Sequence, residues 1–299
     1  MAIKQVRVLI NGTWYTLTKT GTDTYTATVT APGATSYSQS NGYYNVTVEA
    51  TNDAGTKATT DGSAMNGLRL VVKEKVAPVI TILSPSNDAF VTNNKQPVSF
   101  TITDESGGSG INLSSLVVKL DGTVVADSTL VKTAITNGYS VVYTPATALS
   151  DGSHTVTIAV SDNDGNAAVQ KSTKYKVDTV PPTLNLTAPV NDLITAIVSL
   201  VVRGTTNDIT SSPVTISVAL NGSNQGNASV DSSGAFSKTV TLVEGGNTII
   251  VTATDASGKT SSVTRTVTLD TSVPKVESAA IAPNPVDAGA TMVITVVVK

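Results

Sequence analysis

The stretch Val46-Thr47-Val48-Glu49-Ala50-Thr51-Asn52-Asp53-Ala54-Gly55 decides the fold, because near-copies of it occur twice more. They are Val156-Thr157-Ile158-Ala159-Val160-Ser161-Asp162-Asn163-Asp164-Gly165 and Ile249-Ile250-Val251-Thr252-Ala253-Thr254-Asp255-Ala256-Ser257-Gly258. Each copy alternates apolar and polar side chains and then runs into Asn, Asp and Gly, which reads as a half-buried strand entering a tight turn. The closing glycines lie 110 and 93 residues apart. That is the period of a whole β-sandwich domain, longer than a solenoid repeat or a propeller blade.

Prolines mark where each unit begins: Ala77-Pro78-Val79-Ile80, Val180-Pro181-Pro182-Thr183-Leu184 and Val273-Pro274-Lys275-Val276. Proline lacks a donor and fixes φ, so it suits the first residue of an edge strand and stiffens the joint before it. After the first of these borders, strands are predicted over Val98–Ile102, Leu116–Leu120, Tyr139–Tyr143, Thr155–Ser161 and Tyr175–Val177, with Asp121-Gly122 as a hairpin turn. After the second they follow in the same order, over Ile197–Val202, Val214–Leu220, Ala235–Leu242, Asn247–Thr254 and Val263–Leu269, with Asn221-Gly222 as the turn. Seven short strands per unit with alternating faces give an all-β chain of tandem immunoglobulin-like β-sandwich domains.

The two ends read differently. Val6-Arg7-Val8-Leu9-Ile10-Asn11-Gly12 aligns with the third strand and turn of the later modules, so residues 1–75 form an Ig-like module without its first two strands. Residues 76–179 and 180–272 are Ig-like domains, and 273–299 offer only a first strand, a Pro283-Asn284-Pro285 turn region and a second strand over Met292–Val298. The halves suggest strand exchange between copies, with Val6, Val8 and Ile10 at one edge and Ile294, Val296 and Val298 at the other, and hence a homo-oligomer. The plainer alternative is a small first sandwich sufficient in itself, with the C-terminal segment docked on the third module or cut from a longer gene.

Composition narrows function by exclusion. Charged residues are 14% of the chain, the net charge is −3 and aromatics are 4%, so there is no basic stripe for a phosphate backbone and few rings for base stacking; no nucleic acid is expected. With no cysteine, thiol chemistry and an inter-sheet disulfide are absent. No apolar run is long enough to span a bilayer, so no membrane insertion is expected. The N-terminus alternates at once without a cationic and apolar leader, so a complete chain would be made and kept in a cytoplasm.

Candidate chemistry is sparse. The loop Asp162-Asn163-Asp164-Gly165-Asn166, with Asp104-Glu105, invites a calcium reading, but its spacing does not match an EF-hand loop and hairpin turns demand the same residues. No metal and no cofactor are expected. His154 is the chain's one histidine and has no second ligand, and no Gly-x-Ser-x-Gly elbow occurs, so no catalytic residue is assigned and no enzyme is expected. Six of the twelve aromatics, Trp14, Tyr15, Tyr25, Tyr37, Tyr43 and Tyr44, fall in the first module. Neighbours in a strand point to opposite faces, so the pairs Trp14-Tyr15 and Tyr43-Tyr44 mark a candidate contact surface for protein or sugar.

The strand-Asp-x-x-Gly unit at Val251–Gly258, followed by a strand ending in Asp270-Thr271-Ser272-Val273-Pro274, resembles bacterial Ig-like repeat domains over residues 76–272. The opening Val6–Tyr15 hairpin together with Val46–Gly55 resembles Ig-like proteins found among tail and baseplate genes of phages of Gram-positive bacteria. That resemblance implies a non-enzymatic virion component, a baseplate or tail decoration or spacer assembled in the host cytoplasm. Its implied partners are other virion or particle proteins, with a cell-surface glycan as a further candidate. The rival expectation is a secreted or cell-wall-attached adhesin or carbohydrate-binding protein built from the same repeats.

Overall fold

The computed structural model describes residues 2–299. The chain forms two compact units that divide between Asp178 and Thr179. The first opens with β1 (Ile3–Ile10), β2 (Thr13–Thr16), β3 (Thr18–Lys19), β4 (Tyr25–Thr26), β5 (Tyr44–Asn45), β6 (Thr47–Asn52), β7 (Lys57–Thr60) and β8 (Arg69–Leu70). Strands β2-β1-β6-β7 make one antiparallel sheet, whereas β3 pairs only with β4, and β5 only with β8.

The rest of the first unit is a full sandwich. It comprises β9 (Val79–Ser84), β10 (Ala89–Val91), β11 (Val98–Thr103), β12 (Ile111–Leu120), β13 (Thr123–Val124), β14 (Leu130–Ile135), β15 (Gly138–Tyr143), β16 (Gly152–Asp162) and β17 (Lys171–Val177). One sheet runs β10-β17-β16-β12-β13 and the other β14-β15-β11-β9. Alternation in β11 sends Val98, Phe100 and Ile102 inward while β16 sends in Val156, Ile158 and Val160, and these meet as one buried cluster. The second strand, predicted over Val98–Ile102, thus lies where its alternation requires. Two elements carry no such signal: β10 is three residues long and pairs in parallel with β17, and β14 starts after a short 3-10 turn at Asp127–Thr129.

The second unit contains β18 (Thr183–Ala188), β19 (Leu193–Thr195), β20 (Ser199–Asn207), β21 (Thr215–Leu220), β22 (Ser223–Val230), β23 (Ala235–Thr241), β24 (Gly245–Thr254), β25 (Thr260–Leu269), β26 (Val276–Ala282) and β27 (Val293–Val298). The first eight form one continuous sheet, because β22 pairs with β21 through Ile216↔Ala228 and then with β23 through Val230↔Phe236. Gly226, at φ 83°, sits at the register shift within the β21–β22 pairing, two residues before the strand changes partner. Val202, Ile216, Val218, Ile249 and Val251 are fully enclosed between the layers. Strands β26 and β27 pair only with each other.

The repeated turns are built alike in all three modules. Asn11-Gly12, Asp121-Gly122 and Asn221-Gly222 each place two successive residues at positive φ, the two-residue hairpin geometry that Asn, Asp and Gly tolerate. In the turns that follow the decisive stretch, Asn52, Asp162 and Asp255 each use Oδ1 to accept the backbone N–H four residues on, from Thr56, Asn166 and Lys259 at 2.8–2.9 Å. Asp162 is thereby a turn residue, as the sequence predicts.

Candidate functional site

The central strand pair of every module is the same and its covering is not. Val8 pairs with Val48, Val118 with Ile158 and Val218 with Val251. The last four side chains are at most 1% exposed, whereas Val8 and Val48 are half-buried, as are Val6 and Ile10. Of the first module's apolar side chains only Tyr44 and Val46 are buried among the described residues. The reason lies in the second sheet. In the second module β15 is flanked by β14 and β11, with Val141 opposite both Lys132 and Phe100. The matching segment of the first module keeps only the β3 side, as Thr18↔Thr26 and Lys19↔Tyr25, and Ala27–Thr30 continues without strand pairing. Shallow grooves run along the uncovered face, one lined by Ile10, Val29, Val46 and Leu70 and another by Val6, Leu17 and Tyr25.

The β26–β27 hairpin has the opposite character. Its register, Ile281↔Ile294, Ala279↔Val296 and Val276↔Val298, puts six apolar residues on one face. None is covered: Ile294, Val296 and Val298 are 59%, 50% and 53% exposed. In the second module the corresponding pair is β9–β11, whose Ile80↔Ile102 and Ile82↔Phe100 pairs roof the core. The six candidate edge residues thus lie on faces that in a complete module would be buried.

The candidate aromatic surface comes apart. Tyr44 is buried and donates its hydroxyl to Ala34 O at 3.1 Å, so it is not a contact residue, contrary to the expectation from sequence. The register explains why: Tyr44, His154 and Asn247 each stand four residues before Val48, Ile158 and Val251, the central residues of their modules. All three are buried, and each reaches back to a backbone carbonyl that holds the approach to the strand. His154 Nε2 meets Ser150 O at 2.8 Å and Asn247 Nδ2 donates to Val243 O at 2.7 Å. His154 Nδ1 lies 2.7 Å from Asp121 Oδ2. Burial opposes its charged form, but the Ser150 carbonyl and the Asp121 carboxylate outweigh burial and raise the imidazole above its ordinary value. Trp14 is exposed, with the Arg7 guanidinium 4.1 Å above its ring, while Tyr15 and Tyr43 are half-buried and Arg69 lies 5.2 Å from the Tyr43 ring.

The acidic loop does something the sequence did not disclose. Asp164 ties the first module to the second: its Oδ2 accepts from Thr35 Oγ1 at 2.5 Å and from Glu74 N at 3.1 Å, and Lys73 Nζ donates to its carbonyl at 3.3 Å. Asp104 and Glu105 gather with Glu74, and one oxygen of each of the three carboxylates lies within 4.8 Å of the others. Hydrogen bonding to Glu74 and then burial push Glu105 up to about 7. Burial raises Glu74 too, but hydrogen bonds from Glu105 and Ser109 outweigh it and leave Glu74 below the ordinary glutamate value. Glu74 is far from both partners in sequence, and no local pattern could have joined it to them.

Residues 84–179 match the family described as bacterial Ig-like domain, and residues 182–271 match glucodextranase, domain B. No curated protein matches the chain. Among solved structures, the fibronectin(III)-like modules of Clostridium thermocellum CbhA share 18% identity over 64% of this chain and 93% of theirs, at a TM-score of 0.40. The Sidekick-1 immunoglobulin domains 1–5 share 12% over 98% of this chain and 60% of theirs, also at 0.40. The Bacteroides ovatus mixed-linkage glucan utilization locus protein SGBP-B, solved with a mixed-linkage heptasaccharide, shares 17% over 94% and 66%, at 0.23. Family matches and sheet topology together make this a tandem Ig-like repeat protein.

Proposed function

We propose that the protein is a non-enzymatic structural component of a phage tail or phage-tail-like particle, assembled in the host cytoplasm from copies that complete one another. The observation that carries this reading is the match between two open faces. In the first module, residues 27–30 have no strand beside them, and the apolar sheet of β1 and β6 is half-exposed. The hairpin carries a two-stranded apolar face of the register that covers the same place in a complete module. In the assembly, β27 of one copy lies antiparallel to Ala27–Thr30 of the next, and Ile281, Ile294 and Val296 cover Val8 and Val48. Exposed strand edges of this kind pair readily, so an evolved partner is the economical way to keep them from unspecific aggregation.

Multi-angle light scattering over a concentration series tests it. Full-length chain should exceed the monomer mass of 30.5 kDa, rising with concentration, and the Val296→Asp variant should return to monomer. A wild-type monomer at every concentration overturns self-assembly. Immunogold labelling of purified particles then tests the particle itself.

A second reading, a surface-displayed, carbohydrate-associated Ig-like protein, is favoured by the glucodextranase domain B match and by the exposed Trp14 ring. Retention on isolated cell wall, lost in Trp14→Ala, would favour it over the particle role.

A further inference from the structure

We propose that Glu74, Asp104 and Glu105 form a binding site for a calcium-class divalent cation, which fastens the segment leaving the first module onto the second. This departs from the expectation of no metal drawn from sequence, and it stands independently of the assembly proposal.

The three carboxylates converge without a counter-charge: among the described residues, none takes part in an ion pair with a Lys, Arg or His within 4.0 Å. Two of them are oriented by backbone donors. Gly110 N donates to Asp104 Oδ2 at 2.8 Å, and Ser109 N donates to Glu74 Oε1. The remaining oxygens are the telling ones. Asp104 is only 7% exposed, and its Oδ1 is buried with no hydrogen-bond partner; Glu74 Oε2 and Glu105 Oε2 are buried beside it, with no donor other than a proton shared among these carboxylates. Buried polar atoms almost always have partners, so the orphaned Asp104 oxygen, beside two carboxylates that can offer only a shared proton, calls for a ligand.

Space has been kept for it. A Cβ on Gly108 would stand 2.6 Å from Asp104 Oδ2, 2.9 Å from Glu74 Oε2 and 3.0 Å from Glu105 Cδ, so a side chain there would push the carboxylates out of their present places. An all-oxygen donor set selects a hard cation. Calcium holds its oxygens at about 2.3–2.6 Å, so two ligands of one ion stand up to roughly 5 Å apart, which accommodates the spacing found here. Magnesium, at about 2.0–2.1 Å, would draw them closer and demands stricter octahedral geometry. The ion would act beside the Asp164 contacts with Thr35 and Glu74, so its binding bears on the same joint.

The test uses full-length chain stripped with a chelator and titrated calorimetrically with calcium chloride. Wild type should bind calcium saturably, and Asp104→Asn and Glu105→Gln should each bind one equivalent fewer, or bind that equivalent at least tenfold more weakly. Calcium should also raise the melting temperature and slow tryptic cleavage at Lys73 and Lys75 in wild type and not in Glu105→Gln. Far-UV circular dichroism confirms that the variants fold, and Gly108→Ala provides a second route to the same loss with every carboxylate retained. The proposal is overturned by no heat and no melting shift at millimolar calcium, by an unchanged equivalent in folded Glu105→Gln, or by an equal response to magnesium. It is overturned too if lowering the pH protects the joint while calcium does not, for the knot would then hold a shared proton.

Discussion

Val48 and Ile158 occupy one place in two copies of the same strand, each paired with a valine of the strand beside it. Around Ile158 the second sheet closes, and the side chain is fully enclosed; around Val48 the matching layer stops at Tyr25–Thr26, and the side chain stays half-exposed. The difference teaches that the alternating strand is a demand for a partner and not a guarantee of one. Its inner face is the same in both modules, and the free energy it yields depends on which strands are present to cover it.

That contrast is most open to breakage by truncation at the two sites. Ile158→Ala should destabilise the second module by about 2–5 kcal/mol, the cost of the hole left by three carbons in a closed core. Val48→Ala should cost under about 1 kcal/mol in dilute protein, because little apolar surface is removed from water there. Trp14, the chain's one tryptophan, lies in the first module, so its fluorescence follows that module while far-UV circular dichroism follows all of them during urea unfolding. Equal costs at the two positions would mean that the face of the first module is covered in solution. A cost at Val48 that grows with protein concentration would sharpen the comparison, since the cover would then be another copy.

The fold was legible in the sequence wherever periodicity and turn chemistry agreed. The stretch ending at Gly165 specified strand, turn and inner face together, and Asn221-Gly222 specified a hairpin with the φ values that such a turn requires. Strand β10 was not legible, because three residues cannot show alternation and a parallel partner nearly 90 residues on leaves no local mark. Val8 and Val296 were legible as inner-face positions of strands because open faces still carry the pattern of closed ones. The Tyr43-Tyr44 pair misled in part: alternation correctly placed the two rings on opposite faces, but it could not say that the inward one ends on a backbone carbonyl. Glu74 was not legible as a partner of Asp104 and Glu105, since only the tertiary fold brings the three together.

The buried polar position before each central strand sharpens the comparison in a second way, because its three occupants differ in charge. Tyr44 and Asn247 are neutral hydrogen-bonders, whereas His154 faces two acceptors, Ser150 O and Asp121 Oδ2, which raise its pKa above the ordinary value. A histidine raised in the folded state adds stability that is fully present below its unfolded pKa, about 6.5, and is lost as pH rises through the higher folded value. The second module should therefore lose melting temperature between slightly acid and alkaline pH, and His154→Gln should flatten that loss. The effect should be about 1.5 kcal/mol, at the low end for charged hydrogen bonds, because Asp121 is half-exposed. Melting curves of both proteins from pH 5.5 to 8.5 would measure it. A profile for His154→Gln parallel to wild type would show that the imidazole is neutral in the fold and that this position works alike in all three modules.

The smallest expected effect concerns Trp14 of the first module. Arg7 lies over its ring at 4.1 Å and donates Nε to Glu49 Oε1 at 2.8 Å, and that hydrogen bond holds Glu49 below the usual carboxylate range. A ring so occupied has one face engaged by the protein and only its other surface free. If the stack is Trp14's whole role, Trp14→Ala costs about 0.5–1 kcal/mol, the value of an exposed cation–π contact, and Trp14→Phe costs less. If the ring also docks against a sugar or a protein, Trp14→Ala lowers binding tenfold or more while the melting temperature moves only by the stacking contribution. Measuring retention on cell wall or on purified particles beside the melting temperature separates the two. Loss of both together, with Arg7→Lys reproducing it, would place the ring in the scaffold of the β1–β6 sheet, where the guanidinium rather than the indole is the group that matters.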